Sequence, residues 1–193
     1  MKKTIYLINY TIFFIFLLSC KSKHDEKNIS KHESIINTVL GTQLELPVDS
    51  LSTYDYLNSY KSDSVSTVNS KFKIYSRVNA SCSTCIEHIN LWNDLSYKLE
   101  KYDTSIILLC YSEDNFEFIK YLCESDQIEK FQYPLFFDWK NEFMNLNKFM
   151  LENKHFETVL TDVNNYILAV GNPIISKNIE QIYIKEIQKS FKK

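Results

Sequence analysis

Two cysteines separated by two residues, in the stretch "NASCSTCIEH" at 79–88, carry the clearest chemical signal in the sequence. Cys82 and Cys85 stand three positions apart, which puts their sulfur atoms within reach of each other on one helical turn. Such a pair can work as a redox disulfide, bind a metal ion or act as a structural staple. A disulfide that closes so short a loop restrains little of the unfolded chain. The spacing therefore favours redox chemistry over a staple.

The residues on either side place this pair where a strand meets a helix. "KFKIYSRV" at 71–78 alternates between two faces and predicts a strand, whereas the apolar residues from Ser81 onward recur at helical spacing. The helical stripe consists of Cys85, Ile89, Trp92, Leu95 and Leu99. The helix N-terminus should favour the thiolate form of Cys82 through its free N–H groups and its dipole. We therefore expect Cys82 to attack, and the deeper Cys85 to resolve the mixed disulfide.

The remaining patterns predict alternating strands and helices, and hence an α/β fold. The expected elements are a strand at "QLELP" (43–47), a buried strand at "SIILLCY" (105–111), a helix at 113–125, a strand at "YPLFFDW" (133–139), a helix at 141–153, a hairpin of "FETVLTD" (156–162) and "YILAVGNP" (166–173), and a last amphipathic helix carrying Ile179, Ile182, Tyr183, Ile187 and Phe191. Asn164 and Asn165 suit the hairpin turn because asparagine tolerates positive φ.

A CxxC pair between a strand and a helix in this order resembles the thioredoxin fold. The insertion at "YPLFFDWKNEF" and the hairpin "VLTDVNNYILAVGNPI" are similar to the TlpA-like and peroxiredoxin-like branch of that fold. The resemblance covers roughly residues 41–191. It implies a central mixed sheet flanked by helices, with an N-terminal extension and an inserted strand and helix. It also implies a thiol-disulfide oxidoreductase that uses Cys82 and Cys85, needs no cofactor and acts on protein thiols or disulfides.

The sequence departs from this family pattern at three positions around the pair. Ser81 stands where a tryptophan is usual, and Ser83-Thr84 replaces the common Gly-Pro. Phe156 occupies the place of the family's cis-proline, so we expect a trans peptide bond there, because cis bonds are essentially confined to proline. The resemblance implies that the loop of His155, Phe156 and Glu157 lines the substrate groove. The peroxidatic motif Pro-x-x-x-Thr-x-x-Cys does not occur, which argues against peroxidase activity.

The N-terminus "MKKTIYLINYTIFFIFLLSC" predicts export from the cytoplasm. Two lysines precede an apolar run that is short for a membrane span, and "LLSC" resembles the bacterial lipobox, in which the cysteine is lipidated. We therefore expect a lipoprotein signal peptide at 1–19, lipidated Cys20, a tether at 20–40 and a thioredoxin-like domain at 41–193. The domain would lie in the cell envelope, outside the cytoplasm, where disulfides can form.

Other properties limit the function classes and leave two alternatives open. A net charge of −2 provides no basic surface for nucleic acid. Cys110 and Cys123 fit the pattern of buried small hydrophobic residues, and a bridge between them is the less favoured interpretation. Two thiolates and an imidazole, from Cys82, Cys85 and His155, would suit copper or zinc. Alternatively, the domain is a non-catalytic interaction module whose disulfide only holds its loop.

Overall fold

The computed structural model describes residues 23–54 and 69–191. The strands are β1 (Leu51–Tyr54), β2 (Phe72–Asn79), β3 (Thr104–Tyr111), β4 (Leu135–Asp138), β5 (Thr158–Asp162) and β6 (Ile167–Val170), and the helices are α1 (Lys23–Val39), α2 (Ser83–Leu99), α3 (Glu117–Glu124), α4 (Phe143–Leu146) and α5 (Lys177–Lys189). The chain divides into two units, Met1–Thr38 and Val39–Lys193. The predicted signal peptide and lipidated Cys20 lie outside the described residues.

Helix α1 falls in the segment for which the sequence predicts a tether. The helix begins at Lys23 and ends at Val39, so most of that segment is helical. The segment contains no glycine or proline, so no residue in it strongly opposes helix formation. Within the described part of the chain, no helix is both long and apolar enough to cross a bilayer.

The second unit is built on a six-stranded mixed sheet with the order β1-β4-β3-β2-β5-β6. Strands β2, β3 and β4 run parallel, and β1, β5 and β6 join the sheet through antiparallel pairs. Helices α2 and α3 lie in the two parallel crossovers, which connect β2 to β3 and β3 to β4. The structure thus confirms the predicted α/β fold with a central mixed sheet, and the inserted strand is β4.

The core forms where α2, α3 and α5 pack on one face of the parallel strands. Every residue of β3 except Tyr111 is buried, as expected for an apolar strand covered on both faces. The predicted stripe of α2 is buried from Ile89 to Leu99. Phe116 stacks on Phe137 with ring centroids 4.1 Å apart, which fixes the start of α3 against β4. This packing holds the ends of the parallel strands in place, and the cysteine pair follows one of those ends.

Two predicted elements differ in the segments that flank the sheet. "QLELP" forms no strand: Gln43 makes one isolated antiparallel bridge with Tyr166, and the strand of this region is β1, which the sequence did not predict. The helix expected at 141–153 is divided into α4 and a 3₁₀ helix at Lys148–Glu152. The division occurs at Asn147, whose side-chain amide donates to the carbonyls of Phe143 and Glu45, both at 2.8 Å.

The C-terminal hairpin and helix follow the prediction closely. In the turn, Asn165 adopts the left-handed conformation (φ 65°), whereas Asn164 donates its N–H to the Asp162 carboxylate and keeps a negative φ. Helix α5 buries Tyr183 and Ile187, but Ile182 is exposed, contrary to the expected apolar stripe. The Tyr183 hydroxyl donates to the carbonyl of Gly171 at 2.7 Å, which ties α5 to the end of β6.

Candidate redox site

Cys82 is the residue that begins helix α2. Its backbone is extended, and its sulfur accepts a hydrogen bond from the N–H of Cys85 at 3.4 Å. The carbonyl of Cys82 accepts the N–H of Ile86 at 3.0 Å, which is the first hydrogen bond of the helix. Both cysteines are half-buried and reduced. The structure therefore places the two thiols together at the N-terminus of α2.

Cys85 differs from Cys82 in its surroundings. Burial raises the pKa of the Cys85 thiol to about 11, and the hydrogen bond with Cys82, the Cys82 charge and the Glu157 carboxylate raise it further. At neutral pH Cys85 is consequently a thiol rather than a thiolate. This agrees with the division of roles expected from the sequence, in which the deeper cysteine acts second.

Ser81, at the position of the usual tryptophan, connects the cysteine loop to the turn that follows β3. Its hydroxyl donates to the Asp114 carboxylate at 2.9 Å and accepts the N–H of Glu113 at 3.0 Å. The other oxygen of Asp114 accepts the N–H of Phe118 at 3.0 Å, in the first turn of α3. Hydrogen bonds from Ser112 and Ser81 lower the pKa of Asp114. The chain before Cys82 is thereby fixed to the start of α3.

A pocket of about 180 Å³ opens beside Cys85, and Arg77, His88, Tyr111 and Glu157 are among the residues that line it. Arg77 pairs with Glu157 at 3.1 Å, and the Arg77 side chain is only 7% exposed. Its guanidinium lies 3.4 Å from the centroid of the Tyr111 ring and also donates to Asn141. The two charges in this pocket therefore compensate each other, and Glu157 is held next to the resolving cysteine.

Of the three residues predicted to line the substrate groove, His155, Phe156 and Glu157, only Glu157 lines this pocket. Phe156 is 4% exposed and belongs to the interior, because burial of a phenylalanine gains more than its display in a groove. His155 is exposed and donates its backbone N–H to the Asn153 side chain. Glu157 lines the pocket beside Cys85. No peptide bond is cis in the ranges that the structure describes, in agreement with the expectation for Phe156.

The alternative metal site is not assembled. Among residues 23–54 and 69–191, no group of three or more His, Cys, Asp or Glu side chains is arranged to hold a metal ion. The structure keeps Cys82 and Cys85 together but does not bring His155 into a ligand set with them. The histidine that does lie near the pair is His88 of α2, which lines the Cys85 pocket.

The sequence analysis missed Arg77 and the role of Glu157 beside Cys85. One signal was available: Arg77 lies in the predicted strand at 71–78, and an arginine that is buried there requires a partner of opposite charge. The identity of that partner could not be read from the sequence, because Glu157 is 80 positions further along the chain. Only the antiparallel pairing of β2 with β5 brings the two together.

Cys110 and Cys123 form a second pair of thiols, within the core. Their exposures are 0% and 1%, and both are reduced, which confirms the prediction of buried small hydrophobic residues. Burial raises the pKa of Cys123 to about 12 and that of Cys110 higher still. Cys123 also raises the pKa of Cys110 through its charge, so the two sulfur atoms lie within electrostatic reach of each other.

The architecture around the first pair decides the fold. A parallel crossover carries the CxxC at its helix start, and the neighbouring antiparallel hairpin and final helix complete the sheet in the order β3-β2-β5-β6. The chain has a thioredoxin-like fold. Strand β4 and helix α3 extend this thioredoxin-like domain on the β3 side.

Comparisons with known proteins give similarities at the level of solved structures. No protein-family model and no curated protein sequence matches the chain. A Chlorobium tepidum protein provisionally named thiol:disulfide interchange protein DsbE is 15% identical, with a TM-score of 0.49, over 64% of this chain and 84% of that one. The thioredoxin domain of a Bacteroides vulgatus thiol-disulfide oxidoreductase is 14% identical, with a TM-score of 0.47, over 75% and 97%.

A further solved structure, a thioredoxin-like protein from Porphyromonas gingivalis, is 15% identical, with a TM-score of 0.46. It covers 77% of this chain and 92% of its own. At these identities and TM-scores the similarities say nothing about activity. The function of the thioredoxin-like domain therefore has to be inferred from its own cysteines and their surroundings.

Proposed function

We propose that this protein is a thiol-disulfide oxidoreductase that reduces or exchanges disulfides in other proteins through Cys82 and Cys85. The observation that carries the proposal is the asymmetry of the pair. Cys82 begins α2 and accepts an N–H on its sulfur, whereas burial raises the pKa of Cys85 to about 11. Cys82 is thus the thiol placed to attack from the start of α2, and its neighbour is kept protonated until a mixed disulfide has formed.

The reaction proceeds by two exchanges. The Cys82 thiolate attacks one sulfur of the client disulfide, the client S–S bond breaks, and the released client thiolate takes up a proton. Cys85 then loses its proton, and its thiolate attacks the Cys82 sulfur of the mixed disulfide. The second client thiol leaves, and Cys82 and Cys85 are joined by a disulfide. The client gains two electrons, and a dithiol reductant must return two electrons to the pair before the next cycle.

Glu157 and Arg77 influence the second step. The Glu157 carboxylate disfavours a negative charge on Cys85, and its own charge is compensated by Arg77 at 3.1 Å. In the reduced enzyme, the charge of the Cys82 thiolate also raises the pKa of Cys85. Formation of the mixed disulfide removes that charge. Cys85 therefore ionises more easily once Cys82 is bound to a client, and this order prevents Cys85 from reacting first.

The proposal includes the location of the enzyme. "LLSC" before the polar tether at 20–40 supports a lipid anchor at Cys20, with the domain in the cell envelope and its thiols exposed to envelope proteins. Metabolic labelling with a radioactive fatty acid should mark the wild-type protein and leave a Cys20→Ala variant unlabelled. Equal labelling of the two proteins would exclude lipidation at Cys20, without bearing on the chemistry of the other cysteines.

The experiment for the chemistry is substrate trapping. Cys85→Ser should leave Cys82 able to attack but unable to release its client, so mixed disulfides should accumulate and disappear on reduction. The matched control is Cys82→Ser/Cys85→Ser, which should trap nothing. Wild-type protein should also accelerate the reduction of insulin by a small dithiol. If Cys85→Ser traps no more protein than the double variant and insulin is not reduced, the proposal is wrong.

A further inference from the structure

A groove of about 360 Å³ lies between helices α2 and α3, directly beside the reactive pair. Ser83, the residue after Cys82, lines the end of the groove nearest the cysteines, and Glu87 and Asn90 line its α2 side further along. The segment of α2 from Ser83 to Asn90 has eight residues and rises by about 10 Å at 1.5 Å per residue. An extended polypeptide covers that length with about three residues. The groove therefore has the length of the segment that flanks one cysteine of a client.

The floor of this groove is apolar and partly open to solvent. Ile86 is buried beneath it, and Phe118, Leu122 and Ile128 are half-buried. Tyr121, on its α3 side, is 60% exposed. Large apolar and aromatic side chains of this kind in a concave surface next to a reactive group are typical of a contact region for another molecule.

Both segments that form the groove carry exposed carboxylates. Glu87 lines the groove itself. The segment 113–130, which includes α3 and its two flanking turns, contains six acidic and two basic residues. Five of the six acidic residues are exposed: Glu113, Glu117, Glu124, Asp126 and Glu129. Of the two lysines, Lys120 already pairs with Glu117 at 3.5 Å. The potential over this groove is therefore negative, and it favours a partner with positive charge.

The pocket on the other side of the pair has a different character. It holds about 180 Å³, half the volume of the groove, and its arginine and carboxylate compensate each other. A charged client segment gains little there, because the pocket presents no uncompensated charge. Selection by charge is thus confined to the side of α2 that faces α3.

We propose that the groove between α2 and α3 binds the client polypeptide on one side of the cysteine that Cys82 attacks, and that it selects segments with basic and apolar side chains. The basic side chains would pair with Glu87 and the carboxylates at the ends of α3, and the apolar ones would cover Phe118, Tyr121 and Leu122. This inference depends on the proposed oxidoreductase function and names its substrate class.

The test uses three synthetic peptides that differ only in charge. Each contains one cysteine, followed within three positions by a leucine and by two lysines, two glutamines or two glutamates. The cysteine is coupled to thionitrobenzoate, whose release by the reduced protein is followed by absorbance. Rates with dithiothreitol correct for the intrinsic reactivity of each peptide. At low salt we expect the lysine peptide to react about tenfold faster than the glutamate peptide, and the difference to shrink at 1 M salt, where the Debye length is about 3 Å.

A charge reversal within the groove provides the matched comparison. Glu87→Lys should reduce the preference for the lysine peptide by about threefold or more, since it replaces attraction by repulsion next to the bound segment. Glu100→Lys, an equal change of charge at the exposed far end of the same helix, should leave the preference unchanged. Tyr121→Ala should slow all three peptides by a similar factor, because it removes apolar contact rather than charge.

A small neutral substrate, hydroxyethyl disulfide, separates failure of the groove proposal from failure of the proposed oxidoreductase function. If the protein reduces it but treats the three peptides alike, or if Glu87→Lys and Glu100→Lys have equal effects, the groove proposal is overturned and the oxidoreductase function stands. If hydroxyethyl disulfide and all peptides remain unreduced, both proposals fail together.

Discussion

The protein contains two pairs of neighbouring thiols in very different surroundings. Cys82 and Cys85 lie half-buried at the start of α2, beyond the end of β2. Cys110 and Cys123 lie on β3 and α3, with exposures of 0% and 1%, in the middle of the core. In each pair one cysteine influences the charge of the other. The same side chain thus occurs once at a partly exposed helix start and once inside the core.

Both pairs bring two thiols close together, so proximity does not distinguish them. They differ in their access to solvent and in the charges around them. The first pair has free helix N–H groups, a neighbouring pocket and a route to solvent. The second pair lies within the hydrophobic core, where burial disfavours the thiolate and keeps disulfide partners out. Cys110 and Cys123 behave as small hydrophobic residues in this setting. Four predictions follow from the contrast, and each one addresses a different property of the two pairs.

The largest expected effect is on activity. Cys82→Ser should reduce insulin reduction to the uncatalysed rate, because a hydroxyl does not replace a thiolate as the attacking group. Cys110→Ala should keep most of the activity and lower the free energy of unfolding by about 1 kcal/mol through the small cavity that it leaves. Activity assays and urea unfolding of both variants check this. A Cys110→Ala protein that folds fully but has no activity would show that Cys110 is needed for catalysis and not only for packing.

Chemical protection should separate the pairs next. Iodoacetamide at neutral pH should modify Cys82 within minutes in the folded, reduced protein. Cys110 and Cys123 should react only through unfolding, and hence slower by a factor of about 10³ or more for a domain of ordinary stability. Mass spectrometry after proteolysis gives the extent at each site. Modification of either core cysteine at the rate of Cys82 would show that the core opens locally.

The pH dependence of stability should reveal the buried thiols. Burial raises the pKa of Cys110 above 9, the usual value of the thiol, so Cys110 stays protonated in the folded state while the unfolded chain ionises. Its stabilising effect is therefore complete below about pH 9 and is lost as the pH rises further, at up to about 1.4 kcal/mol per pH unit. Cys110→Ala should flatten the fall in stability between about pH 9 and 11. Parallel curves for the two reduced proteins would contradict this.

The smallest effect concerns the charge beside Cys85. Glu157→Gln should lower the pKa of Cys85 from about 11, by less than one unit, because burial is the larger cause of the shift. The pH dependence of Cys85 alkylation, compared between Cys82→Ser and Cys82→Ser/Glu157→Gln, measures this change. Glu87→Gln in the same background is the control, since Glu87 lies in the groove and not in the Cys85 pocket. Equal shifts in both variants would remove the specific role of Glu157.

Local sequence patterns account for most of the elements that were predicted correctly. The alternation of 71–78, the helical stripe after Ser81 and the apolar run before Tyr111 each correspond to an element of the structure. These patterns are reliable because a strand or helix must bury its own apolar face wherever it lies. Elements without a strong pattern were misjudged: β1 is a short edge strand with two exposed residues, and Asn147 divides a helix through a hydrogen bond to Glu45, 102 positions away.

For the site, local spacing is enough to predict that Cys82 and Cys85 lie together. Two cysteines three positions apart at the start of a helical pattern are brought together by local geometry alone, whatever the rest of the chain does. The apolar stripe that begins at Cys85 likewise determined that this cysteine is the deeper one.

The residues that surround the pair come from distant parts of the chain and are brought there by the tertiary structure. Glu157 reaches Cys85 because β5 pairs with β2, Asp114 binds Ser81 because β3 lies beside β2, and the groove exists because two crossovers place α2 and α3 next to each other. Each of these contacts joins residues that are about 30 or more positions apart. Their free energy depends on the packing of the whole sheet, and no local pattern of residues encodes it.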